Sequence, residues 1–299
     1  MRYPGFSLLL AALLATPSAA EQDRSVRVNG ALMQAHVLAP SDGTAGRPVV
    51  VFESGAGTGS SAWTPVLAGV ARLATVVTYD RAGLGGSEAD GQAPTPRHVA
   101  ERLHVLLGEL GLKPPYVLVG HSWGGLLIRM FAAMYPADVG GLVYVDPTDP
   151  RSEAQDLAYL RDSGYTADGA REFIDKRARD MAEFVGAQSG PYRAEMEVIR
   201  VIELTHSAEF MDLPPLPDVP VALLVSNRLH PQVWAGRPCE PQDCHAHWMR
   251  LRLAALSRLA PPGSRTSVTL TEAGHEIQRE APSLVVDAIA RVVAAGRAR

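Results

Sequence analysis

The sequence predicts an α/β protein: a mostly parallel central sheet with helices on both faces and a helical insertion late in the chain. Three observations point to it. Short valine-rich runs, apolar throughout, recur along the 299 residues, and such runs suit strands buried on both faces. Segments with apolar residues at helical spacing separate them. One stretch, residues 147–217, interrupts the alternation with charged, helix-like sequence and no run fit for a central strand.

The first twenty residues, MRYPGFSLLLAALLATPSAA, stand apart. Arg2 supplies a positive start, LLLAALLA an apolar stretch, and Ser18-Ala19-Ala20 a small-residue cleavage site before Glu21. The apolar run is shorter than the roughly 20 residues a bilayer span needs. It reads as a secretory signal peptide, so an exported protein, periplasmic or secreted, is expected. No later stretch is long and apolar enough for stable membrane insertion.

After the leader, RSVRVNG and ALMQAHVLA alternate as two strands with Asn-Gly at the turn. Residues 48–53 (PVVVFE) form a buried strand, followed by a glycine-rich loop and a helix near 63–73. Residues 75–79 (TVVTY) form another strand. Val99, Leu103, Leu106, Leu107 and Leu110 then mark a helix over 95–110. Strands at 116–119 and 142–145 flank a helix at 124–135. Beyond the insertion come a strand at 219–225, a helix near 247–259, a strand at 267–270 and a last helix at 282–293. Residues 21–299 are read as one domain, the insertion being a cap and not an independent unit.

Composition narrows the partners. The chain is 46% hydrophobic and 20% charged with a formal net charge of −4, and it has no basic stripe, so no nucleic acid is expected. Its two cysteines, Cys239 and Cys244, lie in RPCEPQDCHAHW. Export favours a small local disulfide pinning a loop. A metal site with His245 and His247 is the alternative, but the spacing fits no zinc signature.

The chemistry is carried by VGHSWGG, residues 119–125. A G-x-S-x-G string is short and arises by chance; its placement is what carries weight. It follows a buried strand and opens a helix, the setting of a nucleophile elbow. Only glycine tolerates the crowding at Gly120 and Gly124, and the turn presents Ser122 above the C-terminal edge of the sheet. A serine hydroxyl needs a base. Of nine histidines, His275 in TEAGHEI falls between the last strand and the last helix, at that same edge. His121 adjoins the serine, but adjacent side chains of a sharp turn diverge. The acid that orients the imidazole is expected at Asp146, which ends the strand LVYVD. Asp149 and Asp243 are the alternatives.

VVVFESGAGTG, VTYDRAGLGGS, VLVGHSWGG, LVYVDP and EAGHEI, in this order, resemble the α/β-hydrolase superfamily of esterase and lipase type over the whole mature length. The resemblance implies Ser122 as nucleophile and His275 as base. It implies oxyanion donors at the backbone N–H of Trp123 and, in the loop after PVVVFE, of Ala56. The segment from Tyr79 to Ser87 is then architectural. Two departures stand out. The family's usual His-Gly is Ser54-Gly55 here, preceded by Glu53. The aspartate commonly found after the penultimate strand is missing, which returns attention to Asp146.

The expected activity is that of a serine hydrolase cleaving a carboxylic ester or related acyl compound through an acyl-enzyme. The expected partner is a small-molecule acyl substrate; no metal or organic cofactor is implied, and the oligomeric state is left open. A lactonase, peptidase, thioesterase or cofactor-free haloperoxidase would use the same triad. A ligand-binding module without turnover would have no need of the strained elbow. The insertion's Phe173, Phe184, Tyr192, Ile199, Ile202, Leu204 and Phe210 are expected to dock the cap onto the body.

Overall fold

The structure is a computed structural model and describes residues 20–39, 48–234, 236–260 and 265–296. The expected signal peptide lies outside these residues but for Ala20. Strands β1 (Ala20–Val28) and β2 (Ala31–Ala39) form an antiparallel hairpin. Its turn residues Asn29 and Gly30 have φ of 47° and 95°, the two positive values that a tight hairpin turn demands.

Strands β3 (Val49–Glu53), β4 (Thr75–Tyr79), β5 (Tyr116–His121), β6 (Val139–Val145), β7 (Val221–Ser226) and β8 (Thr266–Thr271) complete a single sheet. The strand order is β1-β2-β4-β3-β5-β6-β7-β8. β2 meets β4 antiparallel, and every pairing from β4 to β8 is parallel.

The unbroken apolar runs of β3 to β7 arise because both faces of these strands are covered, whereas edge strand β8 leaves Val268 and Leu270 about half exposed. Val51, Val77, Leu118 and Leu142 point to one face, Val50, Phe52, Val119 and Val143 to the other. Helices α1 (Thr64–Ala71), α2 (Pro96–Glu109) and α3 (Trp123–Met134) divide between those faces. Leu103 and Leu107 of α2 pack with Leu127 and Phe131 of α3, while Val66 and Val70 of α1 join the opposite cluster. Thr95 caps α2 by accepting the His98 N–H.

The insertion is helical. Helices α4 (Glu153–Asp162), α5 (Ala167–Gly186), α6 (Gly190–Leu204) and α7 (Ala208–Met211) lie between β6 and β7. Ile199, Ile202 and Phe210 are buried as expected of docking residues, whereas Phe184 and Leu204 are 45% and 48% exposed. Helices α8 (Pro231–Trp234), α9 (Pro241–Leu256), α10 (Ile277–Glu280) and α11 (Pro282–Gly296) follow. Ile289 and Val292 of α11 close the face shared with α1.

Helix α9 starts earlier than its apolar pattern suggests, because Pro241 supplies the preset φ of a first helical turn. Cys239 and Cys244 are bonded, with Cα atoms 5.5 Å apart. The bond is the small local disulfide expected, and it pins the loop to the first turn of α9.

Candidate active site

The turn from β5 into α3 is tight enough to dictate its residues. Ser122 has φ 53° and ψ −120°, a left-handed backbone that a side chain adopts only under constraint. A Cβ on Gly120 would meet the Gly124 carbonyl oxygen at 2.5 Å, and one on Gly124 would meet that of Glu53 at 2.2 Å. The Ser122 N–H donates to Val145 O at 3.2 Å, and Ser122 O accepts from Gly125 and Thr148 at 3.0 Å each. The backbone is thereby fixed on both sides, while the hydroxyl caps nothing and has no hydrogen-bond partner among the described residues.

Asp146 follows β6 with φ 43°, a turn that brings its carboxylate under the loop carrying His275. Asp146 Oδ2 lies 2.7 Å from His275 Nδ1. Its Oδ1 accepts the Ser226 N–H at 2.7 Å and faces Arg252 Nη1 at 3.1 Å. Burial favours the protonated acid, but the His275 hydrogen bond, the Arg252 charge and the Ser226 N–H outweigh it and hold the carboxyl below its ordinary range. The alternatives sit elsewhere. Asp149 pairs with Arg151 at 2.8 Å, and Asp243 is exposed in the first turn of α9. A histidine that donates from Nδ1 keeps Nε2 free to accept a proton. The His275 side chain is 54% exposed, so that nitrogen is open to a ligand.

His121, set aside at the sequence level as pointing away from the serine, has a part in the site. Its ring packs on that of His275 with centroids 4.7 Å apart, and its Nε2 donates to the His275 carbonyl at 2.9 Å. Burial first, then the neighbouring His275, lowers its pKa to about 4. His121 is therefore a neutral prop for the turn that carries His275. Its Nδ1 and the Ser122 Cβ would lie 3.0 and 3.4 Å from a Cβ at Gly55, which shows how closely the loop after β3 crosses the serine.

That loop is held from behind by a buried arginine. Arg81 Nη1 donates to Ser54 O at 2.8 Å and to Glu53 Oε1 at 2.8 Å. Nη2 donates to Gly55 O at 2.7 Å, and Nε to Glu195 Oε1 at 2.6 Å. Tyr79 Oη donates to the second oxygen of Glu53. Glu195, from α6, also accepts the Gly57 N–H at 2.7 Å. Burial works against the charge on Arg81, but the Glu195 and Glu53 carboxylates outweigh it and lift its pKa. In a trans peptide the C=O and the following N–H point in opposite directions. Anchoring the Gly55 carbonyl on Arg81 therefore turns the Ala56 N–H away from Arg81. Neither Ala56 N nor Trp123 N has an acceptor among the described residues.

No signal within Glu53, Arg81 or Glu195 alone marks this cluster. The departure from His-Gly at Ser54-Gly55 and the unusual Glu53 are its only traces in the sequence. The proposed metal alternative also resolves: the Cys239 and Cys244 sulfurs bind each other, and His245 Nε2 lies 3.1 Å from Asn227 O.

Fold and family converge at this point. The model of the alpha/beta hydrolase family matches residues 50–288, and the chain belongs to that family. Among curated proteins it is 37% identical over 98 residues to the uncharacterized protein YqjL of Bacillus subtilis, covering 33% of this chain and 39% of YqjL. It is 31% identical over 123 residues to an AB hydrolase superfamily protein of Gibberella zeae, covering 40% and 38%. Each alignment thus spans about two fifths of the relative's length. Among solved structures, the enol-lactonase of Burkholderia xenovorans superposes with a TM-score of 0.60 at 16% identity, covering 91% of this chain and all of that one. The haloalkane dehalogenase DbeA of Bradyrhizobium elkani gives 0.59 at 19%, covering 93% and 99%. At these identities the structural likeness defines the fold.

Proposed function

We propose that the protein is a serine hydrolase that cleaves a carboxylic ester, or a closely related acyl compound, through an acyl-enzyme on Ser122. The observation that carries this reading is the 2.7 Å pairing of His275 with buried Asp146, at the sheet edge where a strained turn presents an unbonded serine hydroxyl. His275 Nε2 takes the Ser122 proton as Oγ attacks the acyl carbon. Asp146 stabilises the imidazolium that forms. The Trp123 and Ala56 N–H groups receive the oxyanion, and collapse expels the alcohol with the proton from His275. Water then repeats the sequence and releases the acid. A serine at the elbow is the nucleophile of acyl transfer, and the chemistry needs no group beyond these residues.

The twenty-residue leader and the Cys239–Cys244 bond favour an exported enzyme. Hydrolysis of p-nitrophenyl acetate by purified wild type and Ser122→Ala tests the assignment. The variant should lose at least about a thousandfold in kcat with its Tm unchanged within about 2 °C, because a surface hydroxyl contributes little to packing. Equal rates for the two proteins would place the nucleophile elsewhere.

A further inference from the structure

A second feature of the cap lies outside the proposed chemistry. Helices α4, α5, α6, α8 and α9 line an open-sided cavity of about 540 Å³, within the size range of small-molecule sites. Five aromatic side chains line it, Tyr159, Phe173, Phe184, Trp234 and Trp248, beside aliphatic and charged ones. Three arginines also line it, and they are not equivalent. Arg151 pairs with Asp149 at 2.8 Å and with Asp156 at 3.0 Å. Arg177 faces Asp156 at 3.6 Å. Arg237 has no carboxylate within ion-pair reach among the described residues.

Arg237 is nonetheless held in place. Its guanidinium carbon lies 5.1 Å from the centre of the Phe173 ring and 4.9 Å from that of Trp234. Nη1 donates to Tyr159 Oη at 3.0 Å. The backbone is tethered as well: Arg237 N donates to Trp234 O at 3.3 Å, and the Cys239–Cys244 bond fastens the following turn to α9. Beyond the bond to Tyr159, no side-chain N–H of Arg237 has an acceptor among the described residues, and a guanidinium fork fits a carboxylate. The acids on the cavity wall do not compete for it. Asp180 pairs with Lys176 at 2.5 Å, Asp156 pairs with the two other arginines, and Glu203 makes no ion pair with Arg237 among the described residues. Of the three arginines on the wall, Arg237 is the one without an ion pair among the described residues.

We propose that this cavity is a binding site for an organic carboxylate with an apolar or aromatic body, the acid received by Arg237 and the body by the surrounding rings. Phe184 on the cavity wall meets the Tyr192 ring edge-on at 6.4 Å, and Tyr192 covers Gly57 of the loop after β3. The inference concerns binding and stands or falls independently of turnover at Ser122.

Isothermal titration of the full chain with phenylbutyrate, its neutral amide and the matching phenylbutylamine tests it. A charge-assisted pair is worth about 1.5–3 kcal/mol, so the acid should bind on the order of tenfold to a hundredfold tighter than the amide, and the amine weakest. Arg237→Met should bring the acid to the affinity of the amide and leave the amide unchanged. Arg237→Lys, which keeps the charge but not the fork, should weaken the acid several-fold, and it decides the matter if circular dichroism shows the methionine variant unfolded. Equal affinity for acid and amide in wild type overturns the proposal. So does an acid preference that survives Arg237→Met or is undiminished in Arg237→Lys, a tightest-binding amine, or no binding by any of the three.

Discussion

Replacing Arg81 by lysine keeps the positive charge and removes the fork that grips the loop after β3. The guanidinium makes five hydrogen bonds, to both oxygens of Glu195, to Glu53, and to the Ser54 and Gly55 carbonyls. An ammonium has three donors, so at least two of the five bonds are lost, although the Gly55 carbonyl keeps its Thr58 donors and Glu195 Oε2 keeps the Gly57 N–H. At about 1.5–3 kcal/mol for each hydrogen bond to a charged group, the loss is roughly 3–6 kcal/mol. For a domain of this size that lowers Tm by on the order of 10 °C and leaves the protein folded at room temperature. The effect on the reaction is separate. Without Arg81 the Gly55 carbonyl keeps only its Thr58 donors, the Gly55–Ala56 peptide is held less firmly, and one of two oxyanion donors is partly misplaced. Complete loss of such a donor costs about 10²–10³ in kcat, and partial misplacement costs about tenfold to a hundredfold. Because the donor acts on charge that develops only in the transition state, KM should change less than about threefold. Steady-state hydrolysis of p-nitrophenyl acetate at room temperature, with Tm measured on the same samples, separates the two effects. An unaltered kcat beside a lowered Tm would confine Arg81 to holding the fold. A raised KM with unaltered kcat would place it in substrate binding and refute the peptide-plane argument.

Asp146→Asn should reduce kcat by on the order of 10⁴, since the amide stabilises the wrong imidazole tautomer, while Asp149→Asn stays within about threefold of wild type; the opposite ranking in the same ester assay would move the acid. Stability should fall with acid. His121 titrates at about 4 in the folded protein against roughly 6.5 when unfolded, so the unfolded chain binds the extra proton between those values and stability rises with pH across that window. The loss on going from pH 7 to pH 5 is about 2 kcal/mol. Asp146, held below its ordinary value, adds to the loss only below about pH 4. Thermal melts at the two pH values measure this, and His121→Gln, which keeps a donor for the His275 carbonyl, should flatten the dependence. An equally steep profile in the variant would assign it to other groups.

Strands β5 and β6, which end at Ser122 and Asp146, were legible because their runs are apolar, as burial on both sheet faces requires; β8, which leads to His275, is an exposed edge strand and was read from its place in chain order. The elbow was legible because the crowding that demands glycine at 120 comes from Gly124 and Gly125, a local signal, even though the contact that demands it at 124 comes from Glu53 in the neighbouring strand. Asp146 and His275 were reachable from chain order, since each terminates its strand at the same edge. The Arg81 cluster was not: its partners lie 28 and 114 residues away, and a charged residue in a glycine-rich segment looks like a solvated turn. His121 escaped for a related reason, because its bond to the His275 carbonyl spans 154 residues. In the cap, buried Ile199 and exposed Leu204 sit on one helix among charges, and only the packing separates them. Arg237 reads as an ordinary loop arginine until Phe173 and Trp234, from two different helices, are seen against it.

The account rests on an activated oxygen at position 122. Incubation with a fluorophosphonate, followed by intact-mass and peptide mass spectrometry, tests it most directly. The account predicts one adduct per chain, located on Ser122 and lost when His275 is replaced by alanine. An unlabelled protein, or an adduct on another residue, would contradict it.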